Sequence, residues 1–126
     1  MFTATSRNRL LRVHADLQRL MNEAEKTSPI PFQIAQGLRT IAEQRELYAQ
    51  GRTKPGKIVT WKMQSKHLTG DAVDVAIIIG GKYIVNPVQY DLLAKHILAT
   101  AARLGIAVTW GGEWKRKDRP HYERKG

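Results

Sequence analysis

A chain of 126 residues fits one compact domain and leaves little room for a second. It contains no cysteine, which excludes disulfides, thiolate metal ligands and a cysteine nucleophile. Its 21 Lys+Arg residues outnumber 11 Asp+Glu, and the net charge of +10 favours polyanions without choosing among nucleic acid, acidic membrane surfaces and anionic envelope polymers.

No run approaches the roughly 18 apolar residues of a membrane span. Residues 1–9 carry positive charge but no apolar stretch of signal-peptide length, so synthesis in a cytoplasm is expected. Residues 7–26 read as one amphipathic helix, in which Leu10, Val13, Leu17, Leu20 and Ala24 recur at three- and four-residue spacing. Ser28-Pro29-Ile30-Pro31 ends it, because proline cannot continue a helix. Residues 32–38 form a short apolar strand, and Thr40-Ile41-Ala42-Glu43 has capping-box spacing for a second helix reaching about Gln50. Residues 51–64 are a polar loop. Residues 72–79 form a strand, with Gly80-Gly81 as a hairpin turn into residues 82–85. Asn86-Pro87 opens a third helix, with Leu92, Leu93, Ile97, Ala101 and Leu104 on its apolar face and Gly105 as its stop. A strand at 106–110, a Gly-Gly turn and a last short strand near His121 follow. This order predicts an α+β domain over residues 1–126, a small antiparallel sheet flanked by about three helices.

The four histidines are His14, His67, His96 and His121. His14 and His96 fall on helices with no acidic residue at a ligand spacing and read as surface or packing residues. His67 stands seven residues before Asp74, a step that would span about 23 Å if extended. Two ligands of one ion lie far closer, so the chain must double back, and Thr69-Gly70-Asp71 supplies a turn. On the strand that follows, Ala72, Asp74 and Ala76 share one face, and Val73, Val75 and Ile77 the other. A carboxylate on a half-buried strand needs cationic compensation. An arginine is the ordinary partner; with His67 upstream and His121 downstream, a divalent cation is the better one. Pro120 presets an extended backbone and suits the start of an edge strand, with His121 projecting from its first residues. Two neutral imidazoles and one carboxylate are a three-ligand zinc set with an open fourth position. His67, Asp74 and His121 are therefore the candidate ligands. Zinc acidifies a water, and a nearby non-ligand carboxylate can serve as general base. Asp118, in the turn before His121, is the candidate, with Glu123 and Glu113 as fallbacks.

Ser65-x-His67-x-x-Gly70-x-Ala72-x-Asp74, followed by Asp118-x-x-His121, resembles the two-part signature of the zinc peptidoglycan peptidases. That family includes VanY-like D-alanyl-D-alanine carboxypeptidases, dipeptidases and the phage L-alanyl-D-glutamate endopeptidases. Gln36-Gly37-Leu38-Arg39-Thr40 is similar to the segment where these enzymes place a substrate-binding arginine. Gln44 falls where the family often has glutamine, and Trp110-Gly111-Gly112-Glu113-Trp114 resembles the tract leading to the last ligand. The resemblance implies a Hedgehog/DD-peptidase-like zinc peptidase fold. It implies Zn2+ on His67, Asp74 and His121, Asp118 as catalytic base, and a substrate carboxylate held by Arg39 and Ser65 with Gln44 assisting. Arg39 has independent support, since it precedes the expected N-cap and adds to the positive end of a helix dipole. Its alternative is a pairing with Glu43 or Glu46. Trp114 is assigned to the cleft, which Trp61, Trp110 and Tyr122 are also placed to line.

Asp118 and Pro120 stand where the carboxypeptidases usually carry Glu and an aromatic residue. With the small size, no signal peptide and no separate wall-binding domain, this leans towards the phage-type endopeptidases. The implied protein is a monomeric endolysin that cuts the peptidoglycan stem peptide between L-alanine and D-glutamate. It would be made in the host cytoplasm and reach the wall through holin pores. The basic Lys115-Arg116-Lys117 run and Arg124-Lys125 would form a cationic face for anionic envelope polymers. A D-alanyl-D-alanine carboxypeptidase on the same scaffold is the alternative specificity. From another class, the rival is a basic nucleic-acid-binding module. Its cations are spread through the chain and no helix-turn-helix, zinc-finger or aromatic RNA-binding motif is present, so nucleic acid is not expected as a partner.

Overall fold

The computed structural model of the chain describes residues 1–38, 41–50, 66–115 and 117–125. Residues 7–26, expected as one helix, fold as two: α1 (Ala4–Leu10) and α2 (Ala15–Thr27). The break has a local cause. The His14 amide donates to the Gly70 carbonyl at 2.8 Å, and the His14 ring accepts the Asp16 amide at 3.0 Å, so His14 caps α2. The apolar spacing survives the break, since Leu10, Val13, Leu17, Leu20 and Ala24 are all buried.

Strand β1 (Phe32–Gln36) leads to α3 (Ile41–Ala49). The expected cap Thr40 and the loop at 51–64 lie outside the described residues. A 3-10 turn at Lys66–Thr69 precedes β2 (Ala72–Ile79), which turns through Gly80-Gly81 into β3 (Lys82–Ile84). Helix α4 (Pro87–Leu104) begins where the Asn86 side chain accepts the Val88 amide and stops at Gly105. Strand β4 (Val108–Trp110), a 3-10 turn at Gly111–Glu113 and β5 (His121–Arg124) follow. No helix among the described residues is long and apolar enough to cross a membrane.

The strands pair antiparallel in the order β1-β2-β5-β4, with β3 also on β2. Strand β5 thus lies inside the sheet, not at the edge that Pro120 suggested. Pro120 stands just before the strand, where its missing N–H removes no ladder bond, and its carbonyl accepts the Val75 amide at 3.0 Å. On one face Phe32, Ile34, Val73, Val75, Ile77 and Tyr122 are at most 2% exposed, and they join α2 and α4 in the core. Each such side chain contributes about 1.5–3 kcal/mol. The opposite face carries Asp74 directly across from His121.

The buried stripe of α4 is Tyr90, Leu93, Ala94, Ile97, Thr100 and Ala101, while Leu92, expected to be buried, is exposed. Leu92 sits about 100° around the helix from Leu93. The Tyr90 hydroxyl accepts the Ile77 amide at 3.1 Å and ties the first turn to the sheet. His96 has a packing role: its Nε2 lies 3.0 Å from the Ala24 carbonyl and joins α4 to α2.

Two contacts fix the ends of the site-bearing strands. Beyond β1, a Cβ on Gly37 would lie 2.2 Å from the Arg9 carbonyl oxygen, so α1 passes too close for any side chain. Gly37→Ala should cost about 1–3 kcal/mol through overpacking, read as a lower urea midpoint; an unchanged midpoint would mean that α1 yields freely. Before β2, Asp71 accepts from Thr69 Oγ1 at 2.7 Å and Arg124 Nε at 3.0 Å. The Thr69 hydrogen bond, with help from Arg124, outweighs burial and holds the Asp71 carboxyl below its ordinary value. A depressed carboxylate stabilises the fold above its unfolded pKa and loses that contribution as the pH falls through its folded pKa. Asp71→Asn should therefore cost about 1 kcal/mol at neutral pH, allowing for partial exposure. In denaturation at a series of pH values, the difference from wild type should shrink below about pH 4; a constant difference would contradict the assignment.

Candidate metal centre and active site

Antiparallel register alone places two of the key side chains together. Asp74 on β2 faces His121 on β5 as a direct cross-strand partner, a position from which short side chains touch. Asp74 Oδ1 lies 3.0 Å from His121 Nδ1 and 3.3 Å from His67 Nε2. His67 comes from the 3-10 turn at Lys66–Thr69, which folds the chain back as the spacing required. One ligand-capable atom from each of the three residues lies within 4.8 Å of the others. The imidazole rings meet edge to face, 5.1 Å apart and inclined at 76°.

Both rings are held from behind. His67 is 2% exposed and lies with Nδ1 2.8 Å from the Gly37 carbonyl, which can only accept, so Nδ1 carries a proton and Nε2 faces Asp74. His121 has the reverse arrangement, with Nε2 2.8 Å from Glu123 Oε1 and Nδ1 towards Asp74. Two nitrogens and one carboxylate oxygen, with no thiolate, form a donor set that fits a borderline divalent cation such as zinc.

The electrostatics follow from the same contacts. Burial alone would raise the Asp74 pKa, but bonds from His121 and His67 outweigh it and hold the carboxyl well below the usual range. Burial disfavours charge on His121, yet the bond to Asp74 raises its pKa above the ordinary value. Burial also opposes ionisation of Glu123, but His121 and then Lys66 bring its pKa below the ordinary value. A charged His121 donates Nδ1–H to Asp74 and Nε2–H to Glu123. A cation seated beside Asp74 competes with the first proton only.

Asp118 stands on the solvent side of this cluster, half exposed, with Oδ2 3.9 Å from His121 Nδ1. Its amide donates to the Gly111 carbonyl at 2.9 Å, and the approach is so close that a Cβ on Gly111 would meet the Asp118 carbonyl oxygen at 2.3 Å. The Trp114 ring lies 5.0 Å from the His121 ring, tilted by 47°. Two of the other aromatic residues, Tyr122 and Trp110, behave differently from the cleft reading. Tyr122 is fully buried on the core face. Trp110 packs against the core, and its indole N–H donates to the Arg119 carbonyl at 2.7 Å. Their positions follow from alternation along β5 and its pairing with β4.

Arg39, Ser65, Trp61 and the Gln44 side chain lie outside the described residues. Glu113 is exposed in the 3-10 turn before the ligand strand. Glu123, a fallback base, lies instead behind His121 at the ring nitrogen turned away from Asp74. The sequence carried a signal for this placement, because His121 and Glu123 share a face at a spacing of two. The Gly37 carbonyl had none, since a backbone acceptor has no residue signature.

The phage L-alanyl-D-glutamate peptidase family model matches residues 1–126. The chain is 33% identical over 125 residues to the L-alanyl-D-glutamate peptidase of Escherichia phage T5, covering 98% of this chain and 88% of that one. It is 38% identical over 112 residues to the peptidoglycan L-alanyl-D-glutamate endopeptidase CwlK of Bacillus subtilis strain 168, covering 82% and 66%. The crystal structure of the Serratia marcescens L-Ala D-Glu endopeptidase ChiX matches at a TM-score of 0.85 and 36% identity, covering 99% and 90%. A vancomycin-resistance D,D-pentapeptidase, a VanY variant crystallised with Zn(II), shares the fold at a TM-score of 0.60 and 16% identity, covering 90% and 73%. With its α+β zinc-peptidase fold, the chain belongs to the phage L-alanyl-D-glutamate peptidase family.

Proposed function

We propose that this protein is a zinc-dependent endopeptidase that cuts peptidoglycan stem peptides between L-alanine and D-glutamate. The observation that carries this reading is the convergence of His67, Asp74 and His121 within 4.8 Å. In this reading His67 Nε2, an Asp74 oxygen and His121 Nδ1 hold the ion. A bound zinc supplies a Lewis acid that acidifies the attacking water and polarises the scissile carbonyl. Asp118 takes the water's proton and returns it to the leaving amine, a role suited to a carboxylate beside the ligands but open to solvent. Trp114 bounds the substrate path next to His121. Arg39, Ser65 and Gln44 are assigned to a substrate carboxylate on the motif resemblance.

The names of the T5, CwlK and ChiX relatives favour the L-alanyl-D-glutamate bond over the D-alanyl-D-alanine bond. The phage relative supports an endolysin role in host lysis; in this reading the protein is made in the host cytoplasm and released to the wall through holin pores. The net charge of +10 would draw it to anionic envelope polymers.

Purified peptidoglycan digested with the enzyme should gain N-terminal D-glutamate, detected by mass spectrometry, and a chelator should stop the reaction. Release of terminal D-alanine would instead assign the carboxypeptidase specificity, and digestion indifferent to chelator would remove zinc from the mechanism. Asp118→Ala should keep its zinc by metal analysis while losing about 100- to 10,000-fold in turnover. Full activity in that variant would shift the proton transfer to another group.

A further inference from the structure

Glu123 is the least exposed carboxylate around His121 after the fold has formed, yet it does not face the cation seat. Its Oε1 lies 2.8 Å from His121 Nε2, on the ring edge opposite the one turned to Asp74. Its Oε2 lies 3.3 Å from Lys66 Nζ, and the same ammonium donates to the Arg124 carbonyl at 2.7 Å. Lys66 is the sequence neighbour of His67, on the turn that delivers the first histidine to the site. The Glu123 side chain is 12% exposed and that of His121 is 7% exposed, so bulk water competes little for this bond.

A neutral imidazole carries one ring proton, and the partner of one nitrogen decides which atom is left as a ligand. We propose that Glu123, braced by Lys66, is a positioning residue that keeps the His121 proton on Nε2 and aims Nδ1 at the metal. Glu123 does for His121 what the Gly37 carbonyl does for His67, with a full negative charge in place of a carbonyl dipole. That charge also makes His121 a more basic ligand. The 3-10 turn thus serves both histidines, through His67 directly and through Lys66 and Glu123 indirectly. The inference rests on the zinc reading above.

The test is equilibrium zinc binding at fixed pH, by competition with a chromophoric chelator, together with ring 15N–1H spectra of the zinc-loaded protein. Glu123→Leu should weaken zinc binding about 10- to 100-fold relative to wild type. Lys66→Met, at a side chain 36% exposed, should weaken it in the same direction by less, and it keeps the test open where Glu123→Leu fails to fold. The His121 Nε2–H resonance should be shifted far downfield in wild type and move upfield in Glu123→Leu. The Nδ1–H resonance of His67 should stay in place, which a general loss of structure would not allow. Zinc binding within twofold of wild type in both variants, or an unmoved Nε2–H resonance, overturns the positioning role alone. Wild-type protein that takes up no zinc overturns the metal reading and this inference with it.

Discussion

A carboxylate on the middle of a sheet has few ways to remain ionised, and Asp74 uses the strongest one open to it. Its strand is paired on both sides, by β1 and β5, so the charge cannot tilt out into water past a free edge. An ion buried without partners costs several kcal/mol. Two imidazoles directed at one oxygen offset that cost when a proton or a cation lies between ring and carboxylate, and they fix the geometry of everything else in the site. The register of β2 on β5, the return of the chain at Lys66–Thr69 and the backing contacts on both rings all serve this one requirement.

Strand β2 divides two environments by simple alternation. Val73, Val75 and Ile77 meet the helices, whereas Ala72, Asp74 and Ala76 face the other way, where small neighbours leave room around the carboxylate. The same alternation on β5 separates Tyr122, in the core, from His121 and Glu123 on the site face. Three carboxylates near His121 consequently have different surroundings. Asp74 lies between the rings, Glu123 is shielded behind one of them, and Asp118 is open to solvent. Identical chemistry in three environments supports three distinct uses.

Much of this arrangement is legible in the sequence. The convergence of His67, Asp74 and His121 could be read because each is a side chain with a strong type preference and because strand alternation put Asp74 among alanines. The strands, the Asn86 cap and the Gly105 stop were equally plain, since each depends on neighbours in sequence. What escaped depended on tertiary contacts. The split between α1 and α2 is made by the Gly70 carbonyl, more than fifty residues away. Pro120 suggested an edge strand because a proline cannot donate, but a residue just before a strand has no ladder bond to lose. Leu92 reads as buried on hydrophobicity, whereas helical angle assigns the place to Tyr90 and Ala94. Arg39 and Ser65, the candidates for a substrate carboxylate, lie outside the described residues.

The separation of the histidines along the chain has a mechanical side. One sits on the turn that opens the central strand and the other begins the last strand, so an ion gripped by both would tie together segments far apart in sequence, adding to the β2–β5 ladder that already pairs them. A chain without cysteine has no covalent staple for that purpose. A shared cation behaves as a reversible cross-link: it binds only the assembled form, so its affinity is added to the resistance against unfolding and against proteolysis of opened chains.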